Sequence, residues 1–133
     1  VNNVIRPAIA AGTWVICDRF TDTSRAYQGA GRGFPIAEID RIADWVHPDL
    51  QPDLTLLLDA PVENGMQRAG KRSQTDRIET AKGGFFTRAR ECYLELAEAE
   101  PERFAVVDAS LEIDEVRTAV TVIINALLVE ALD

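Results

Sequence analysis

The sequence predicts an α/β chain: a parallel sheet carrying helices on both faces. Three observations support this. Three short apolar runs, Trp14–Cys17, Leu54–Leu58 and Phe104–Val107, have the length and composition of strands buried on both sides. Each run stops at an aspartate: Asp18, Asp59 or Asp108. Segments with apolar residues at helical spacing separate the runs, the alternation that helical crossovers between parallel strands require.

Taken in order, the chain opens on 1–11, where Val4, Ile5, Ala8 and Ile9 share a helical face and Gly12 is placed to stop it. Pro7 is awkward deep in a helix, so this one starts near Arg6 or kinks there. Trp14–Cys17 follows as the first strand, with Cys17 buried in it. Beyond Gly33, Pro35 suits a first helical turn, and Ile36, Ile39, Ile42, Ala43 and Val46 repeat on one face. Glu38, Asp40, Arg41 and Asp44 take the wetter side. Pro48 and Pro52 bound the loop into the second strand, and Val62, Met66 and Ala69 mark a short helix running into Gly70.

From 70 to 84 apolar periodicity gives way to charge, which reads as a mobile surface loop. Phe85, Phe86, Ala89, Tyr93, Leu96 and Ala97 form the stripe of a long helix that Pro101 ends. After the third strand, a last helix over 114–128 turns Val116, Val120, Ile123, Ile124 and Leu127 inward. Asp114 and Glu115 suit the positive end of its dipole.

With 133 residues, 47% of them hydrophobic, the chain is expected to form one domain, 1–133, with a core of its own. Fourteen basic against 22 acidic residues give a formal charge of −8, which argues against a nucleic-acid-binding surface. Cys17 and Cys92 lack metal-ligand spacing; two cysteines allow one disulfide, but in a cytosolic protein they read as reduced thiols. No apolar run approaches the roughly 20 residues of a membrane span. No signal-peptide pattern opens the sequence, so a cytoplasmic location and no membrane partner are expected.

Chemistry concentrates in Asp18–Gly33, DRFTDTSRAYQGAGRG, at the mouth of the predicted sheet. Arg19, Arg25 and Arg32 gather positive charge in an acidic protein. Tyr27 adds a flat ring and Gln28 a two-faced amide, while Gly29, Gly31 and Gly33 allow close backbone approach. Such a set can hold a ligand that is anionic at one end and planar at the other, as a nucleoside monophosphate is. Alone, Asp18–Arg19 also reads as a structural ion pair, Tyr27 as a core aromatic and Arg25 as a solvated charge. His47, the only histidine, reads as a cap or an exposed residue rather than a catalyst.

The stretch resembles the signature of the thymidylate kinases. It reads Asp18-Arg19-Phe20, then Thr23 where serine is commoner, Ala26-Tyr27-Gln28, and Gly29-Ala30-Gly31-Arg32-Gly33. Pro52-Asp53-Leu54, Leu58-Asp59-Ala60-Pro61-Val62 and Asp76-Arg77-Ile78-Glu79 continue the match in order. The resemblance implies a P-loop nucleoside monophosphate kinase fold and transfer of the γ-phosphoryl of ATP to dTMP, with Mg²⁺, giving dTDP. No G-x-x-x-x-G-K-[ST] phosphate loop occurs in these residues. The chain is therefore expected to be a C-terminal portion of such a kinase, with an incomplete three-layer sheet, inactive by itself. The rival reading is a non-catalytic nucleotide-binding or interaction module derived from the same fold.

The resemblance also assigns roles. Arg19 grips the acceptor phosphate, a task its two parallel donors suit, and Asp18 orients it or reaches the metal through water. Thr23 keeps the signature hydroxyl in the dTMP site, Ser24 and Gln28 read the pyrimidine edge, and Tyr27 lies against the deoxyribose. Four of the 14 basic residues fall in 68–77. That run reads plainly as a charged loop, but the resemblance makes it the lid over ATP, about 70–84. Arg72 and Arg77 would then neutralise the transferring phosphoryl, with Arg68 nearer the adenine. Ala109 and Ser110 would pass along the adenine edge. A homodimer through the helix bearing Ile36, Ile39, Ile42, Trp45 and Val46 is implied as well.

Overall fold

The computed structural model describes residues 1–65 and 79–131. Its first helix, α1 (Ile5–Ala10), holds Pro7 in the first turn, where a missing N–H costs nothing, and the chain leaves it through Gly12 at φ 71°. Arg6 Nη2 ties α1 to the carbonyl of Pro48 at 2.5 Å. The helix buries no residue, so the apolar face expected of it meets solvent at Val4 and Ile9.

The first expected strand does not form. Residues 13–17 have no regular structure and no ladder partners, Trp14 is 57% and Ile16 99% exposed, and Cys17 is exposed rather than buried. A strand exists through its pairing, and among the described residues no second strand lies beside this one.

Beyond it, a short helix α2 (Thr21–Ser24) runs straight into a π-helical turn, Arg25–Gly31, and then α3 (Ile36–Val46). Pro35 caps α3 at its N-terminus. Only Ile39 and Ala43 of the expected stripe are buried; Ile36, Ile42 and Val46 are exposed, as is Trp45.

The sheet has two strands among the described residues, not three. β1 (Thr55–Asp59) and β2 (Phe104–Asp108) pair in parallel, in register from Thr55 opposite Phe104 to Asp59 opposite Asp108. β1 was expected to be fully buried, yet Leu58 is exposed, because one edge and part of one face of the strand are uncovered. Between the strands runs α4 (Glu79–Ala99), and α5 (Ile113–Glu130) follows β2. Both helices pack on the strands, giving the α/β class. Glu115 Oε2 accepts the Glu112 N–H at 3.2 Å and closes the first turn of α5.

α4 begins earlier than its apolar stripe suggests. Residues 79–84, expected in a loop, are helical, since a charged segment continues a helix that packing has already fixed downstream. The remainder of the expected loop, with Met66 and Ala69, lies outside the described residues.

The core is a seam of small side chains between α4 and the π-helical turn. Ala26, Ala89 and Cys92 form it, with Tyr27, Ala30, Tyr93 and Leu96 packed around. Gly31 belongs to the same seam: a Cβ there would overlap the Phe85 ring, whose Cδ2 would lie 2.8 Å away. Burial pushes the Cys92 thiol above its ordinary pKa, which keeps it a neutral packing group.

Candidate active site

Arg19 follows the unpaired 13–17 segment with φ 70°, a left-handed conformation that costs a non-glycine residue about 1–2 kcal/mol. Two contacts accompany it. The Cys17 thiol donates to the Arg19 carbonyl at 3.1 Å, and the Arg19 guanidinium sits 5.1 Å from the centre of the Tyr27 ring. The side chain is thereby directed while it remains open to water. Asp18, expected to orient it, is exposed and forms no ion pair with Arg19 among the described residues. The backbone bend and the Tyr27 ring take that part instead.

Tyr27 and Gln28 project from the π-helical turn, a geometry that recurs at functional positions. They face different hollows. Tyr27 lines a hollow of about 390 Å³ at the C-terminal end of β1, with Asp59, Phe86, Arg90 and Tyr93. Gln28 and Ser24 line a second one of about 640 Å³, with Thr21, Arg32, Phe34 and His47. The fold thus brings Arg19 to Tyr27 and Ser24 to Gln28, on two sides of one turn. Thr23 lies elsewhere: its Oγ1 accepts the Tyr93 hydroxyl at 2.7 Å, so it pins α2 to α4. Burial raises the Tyr93 phenol, which keeps it protonated as the donor.

Arg25 and His47 differ from their expected surroundings, and the residues after β2 have local partners of their own. Arg25 is no solvated charge: its Nε donates to Asp40 Oδ1 at 2.7 Å and its Nη1 to Asp22 Oδ1 at 3.1 Å. His47 is not exposed but 8% accessible. It ends α3, shares a 2.9 Å hydrogen bond between Nε2 and Thr21 Oγ1, and lies 4.8 Å from the Phe20 ring centre. Ser110 turns back on Asp108, its N–H and hydroxyl both donating to Oδ1 at 2.8 and 2.6 Å and holding that carboxyl below its usual pKa. The Ala109 N–H donates to the Asp59 carbonyl at 2.6 Å. Arg68, Arg72 and Arg77 lie outside the described residues.

Three arginines that sequence reasoning passed over are central. Arg90 grips Asp59 with two bonds, Nε to Oδ1 at 2.7 Å and Nη2 to Oδ2 at 2.8 Å. Those bonds hold the Asp59 carboxyl below its ordinary pKa, against the opposing effect of burial. Arg103 binds Asp22 and Glu100 together. Its burial alone would lower its pKa, but the hydrogen bonds to Glu100 and Asp22 outweigh that and raise it. Arg88 donates to two backbone carbonyls of the π-helical turn. Apart from Glu100, three residues before Arg103, the partners are distant in the chain, so nothing local signals those pairings.

This arrangement offers an exposed arginine over an aromatic ring, a carboxamide on the other side of the same turn and, at the C-terminal end of β1, a carboxylate already paired with its own arginine. It suits an anionic, ring-bearing ligand. Known proteins point the same way. The thymidylate kinase family model matches residues 1–120. A thymidylate kinase of Methylococcus capsulatus is 52% identical over 128 residues, 96% of this chain and 62% of that protein. One from Alcanivorax borkumensis is 54% identical over 113 residues, 85% of this chain and 54% of that protein. The crystal structure of the thymidylate kinase from Ehrlichia chaffeensis superimposes with a TM-score of 0.71 at 27% identity, covering 93% of this chain and 56% of that one. The chain thus spans less than two-thirds of the length of these relatives, and it belongs to the thymidylate kinase family.

Proposed function

We propose that the complete protein transfers the γ-phosphoryl of ATP to dTMP, giving dTDP for dTTP synthesis. The observation that carries this reading is the Arg19–Tyr27 contact, which sets a guanidinium fork over the face of a ring within a kinase signature. Arg19 grips the acceptor phosphate with two parallel donors, and Tyr27 flanks the sugar. Ser24 and Gln28 read the thymine edge, where a carboxamide can donate to one ring atom and accept from the next. Arg72 and Arg77 neutralise charge on the phosphoryl in flight, Arg68 lies by the adenine, and Ala109 and Ser110 line its edge. Phosphoryl transfer asks chiefly for this kind of positioning and charge stabilisation.

Mg²⁺ accompanies ATP in this proposal. Among the described residues no three His, Cys, Asp or Glu side chains converge as a metal site. Mg²⁺, however, is commonly held by substrate phosphates, waters and one or two carboxylates, and exposed, unpaired Asp18 fits that outer part. The ion would neutralise phosphate charge. The exposed face of α3, with Ile36, Ile42, Trp45 and Val46, supports a homodimer as the working unit. No described helix is long and apolar enough to cross a membrane, which accords with the cytoplasmic location proposed for the enzyme.

The test is ATP-dependent formation of dTDP by the complete protein and by its Arg19→Ala variant. Losing a charge-assisted phosphate contact is expected to cost about 1.5–3 kcal/mol or more, with the fold intact. Near-normal turnover by folded Arg19→Ala protein, or none by the wild type, rules the assignment out. The 133-residue chain alone is expected to transfer no phosphate, since its residues include no triphosphate cradle.

A further inference from the structure

We propose that Arg88 is a positioning residue for dTMP: its guanidinium closes the end of the π-helical turn from which Tyr27 and Gln28 project. The assignment rests on the reading of those two residues as nucleoside contacts. It begins from the carbonyls that any helix end leaves without intrahelical partners. At Gln28 and Gly29 they are met within the chain, by Phe34 N–H at 2.9 Å and Gly33 N–H at 2.6 Å. At Ala30 and Gly31 they are met by one side chain from another helix, Arg88 Nε at 3.0 Å and Nη2 at 2.7 Å.

A cation is also the favoured charge at the negative end of the turn's dipole. Phe85, one helical turn earlier on α4, packs on the face that Gly31 leaves bare and meets the Tyr27 ring edge-on at 5.3 Å. α4 thus grips the turn twice, at its backbone end and at the ring of Tyr27. Helical stretches wider than α are short and rare, and they persist where the surroundings hold them. Without Arg88 two carbonyls lose their partners, and the turn can fall back to α-helical spacing, where each residue swings by about 100° relative to the next. Tyr27 and Gln28 would then lose their bearing toward Arg19 and Ser24.

The experiment uses steady-state kinetics of the complete protein. Arg88→Met is expected to raise the KM for dTMP about tenfold while the KM for ATP stays within about twofold. Arg88→Lys, which keeps the charge and a donor, is expected to recover part of the loss. Adding Gln28→Ala to Arg88→Met is expected to cost little more, because the amide has already lost its place. Equal rises in both KM values, additive losses in the double variant, or an unchanged KM for dTMP in folded Arg88→Met protein would each overturn the assignment. Should Arg88→Met not fold, Arg88→Lys and Arg88→Gln carry the same comparison. A wild-type protein that cannot phosphorylate dTMP removes the kinase reading and this proposal with it. An active wild type with an unselective Arg88 defect removes this proposal alone.

Discussion

Arg103 and Asp22, 81 residues apart in the chain, are joined by two hydrogen bonds, Nη1 to Oδ2 at 2.8 Å and Nη2 to Oδ1 at 3.1 Å. Their side chains are 10% and 7% exposed. Arg103 also reaches Glu100 Oε2 at 2.8 Å and Thr55 Oγ1 at 3.0 Å, while Asp22 accepts from Arg25, which in turn holds Asp40. One network, buried at its Arg103–Asp22 centre, therefore links the helix that follows Arg19 to α3, to the end of α4 and to the start of β1.

Asp22→Ala is expected to lower stability by about 3 kcal/mol or more, because it leaves buried guanidinium charge without its partner. Urea unfolding of the complete protein checks this. A midpoint that barely moves would show that Glu100 and Asp40 suffice.

Gln28→Ala is expected to weaken dTMP binding by roughly 1–1.5 kcal/mol, the usual net contribution of a hydrogen bond, with ATP affinity unchanged. Calorimetric titration of both nucleotides separates the outcomes. Equal losses would assign Gln28 to the fold rather than the base.

Asp59 carries an acid-side signature. Its carboxyl sits below its ordinary value in the folded chain, so the Arg90 pair contributes fully above the unfolded value, near 3.9. That contribution is lost as pH falls through the depressed folded value. Arg90 is open to solvent, which limits the pair to about 1 kcal/mol or less. Melting temperature against pH should therefore fall more steeply below about pH 4 for wild type than for Asp59→Asn. Parallel curves through that range would remove Asp59 from the acid response.

Trp45, 86% exposed on the apolar face of α3, is the residue to change in testing the dimer. Trp45→Glu is expected to shift the complete protein from dimer to monomer at micromolar concentration in a sedimentation experiment. A wild type that is already monomeric, or a variant that remains dimeric, excludes α3 as the contact.

The parts of the fold legible from sequence are those that a segment fixes within itself. Phe104–Asp108 carries strand chemistry along its length and finds its place at β2, and Pro101 and Gly12 punctuate helices where backbone sterics demand it. Trp14–Cys17 carries the same chemistry yet stays single, because a ladder is a property of two strands. The site divides likewise. Arg19, Tyr27, Ser24 and Gln28 are close in sequence, and the turn that carries them is local. The guanidinium contacts of Arg88 and Arg90 depend on partners 57 and 31 residues away, which no periodicity reveals.

The two tryptophans have an optical consequence. Trp14 lies on the unpaired 13–17 segment and Trp45 on the outer face of α3, both largely in water. Among the 133 residues there is no third indole to dilute them. Tryptophan fluorescence, excited beyond the tyrosine band, therefore reports these two surfaces and not the core. A blue shift marks the covering of either one, and replacing Trp45 with phenylalanine leaves Trp14 as the sole indole of the 133 residues, so a lineshape can tell which surface has been covered.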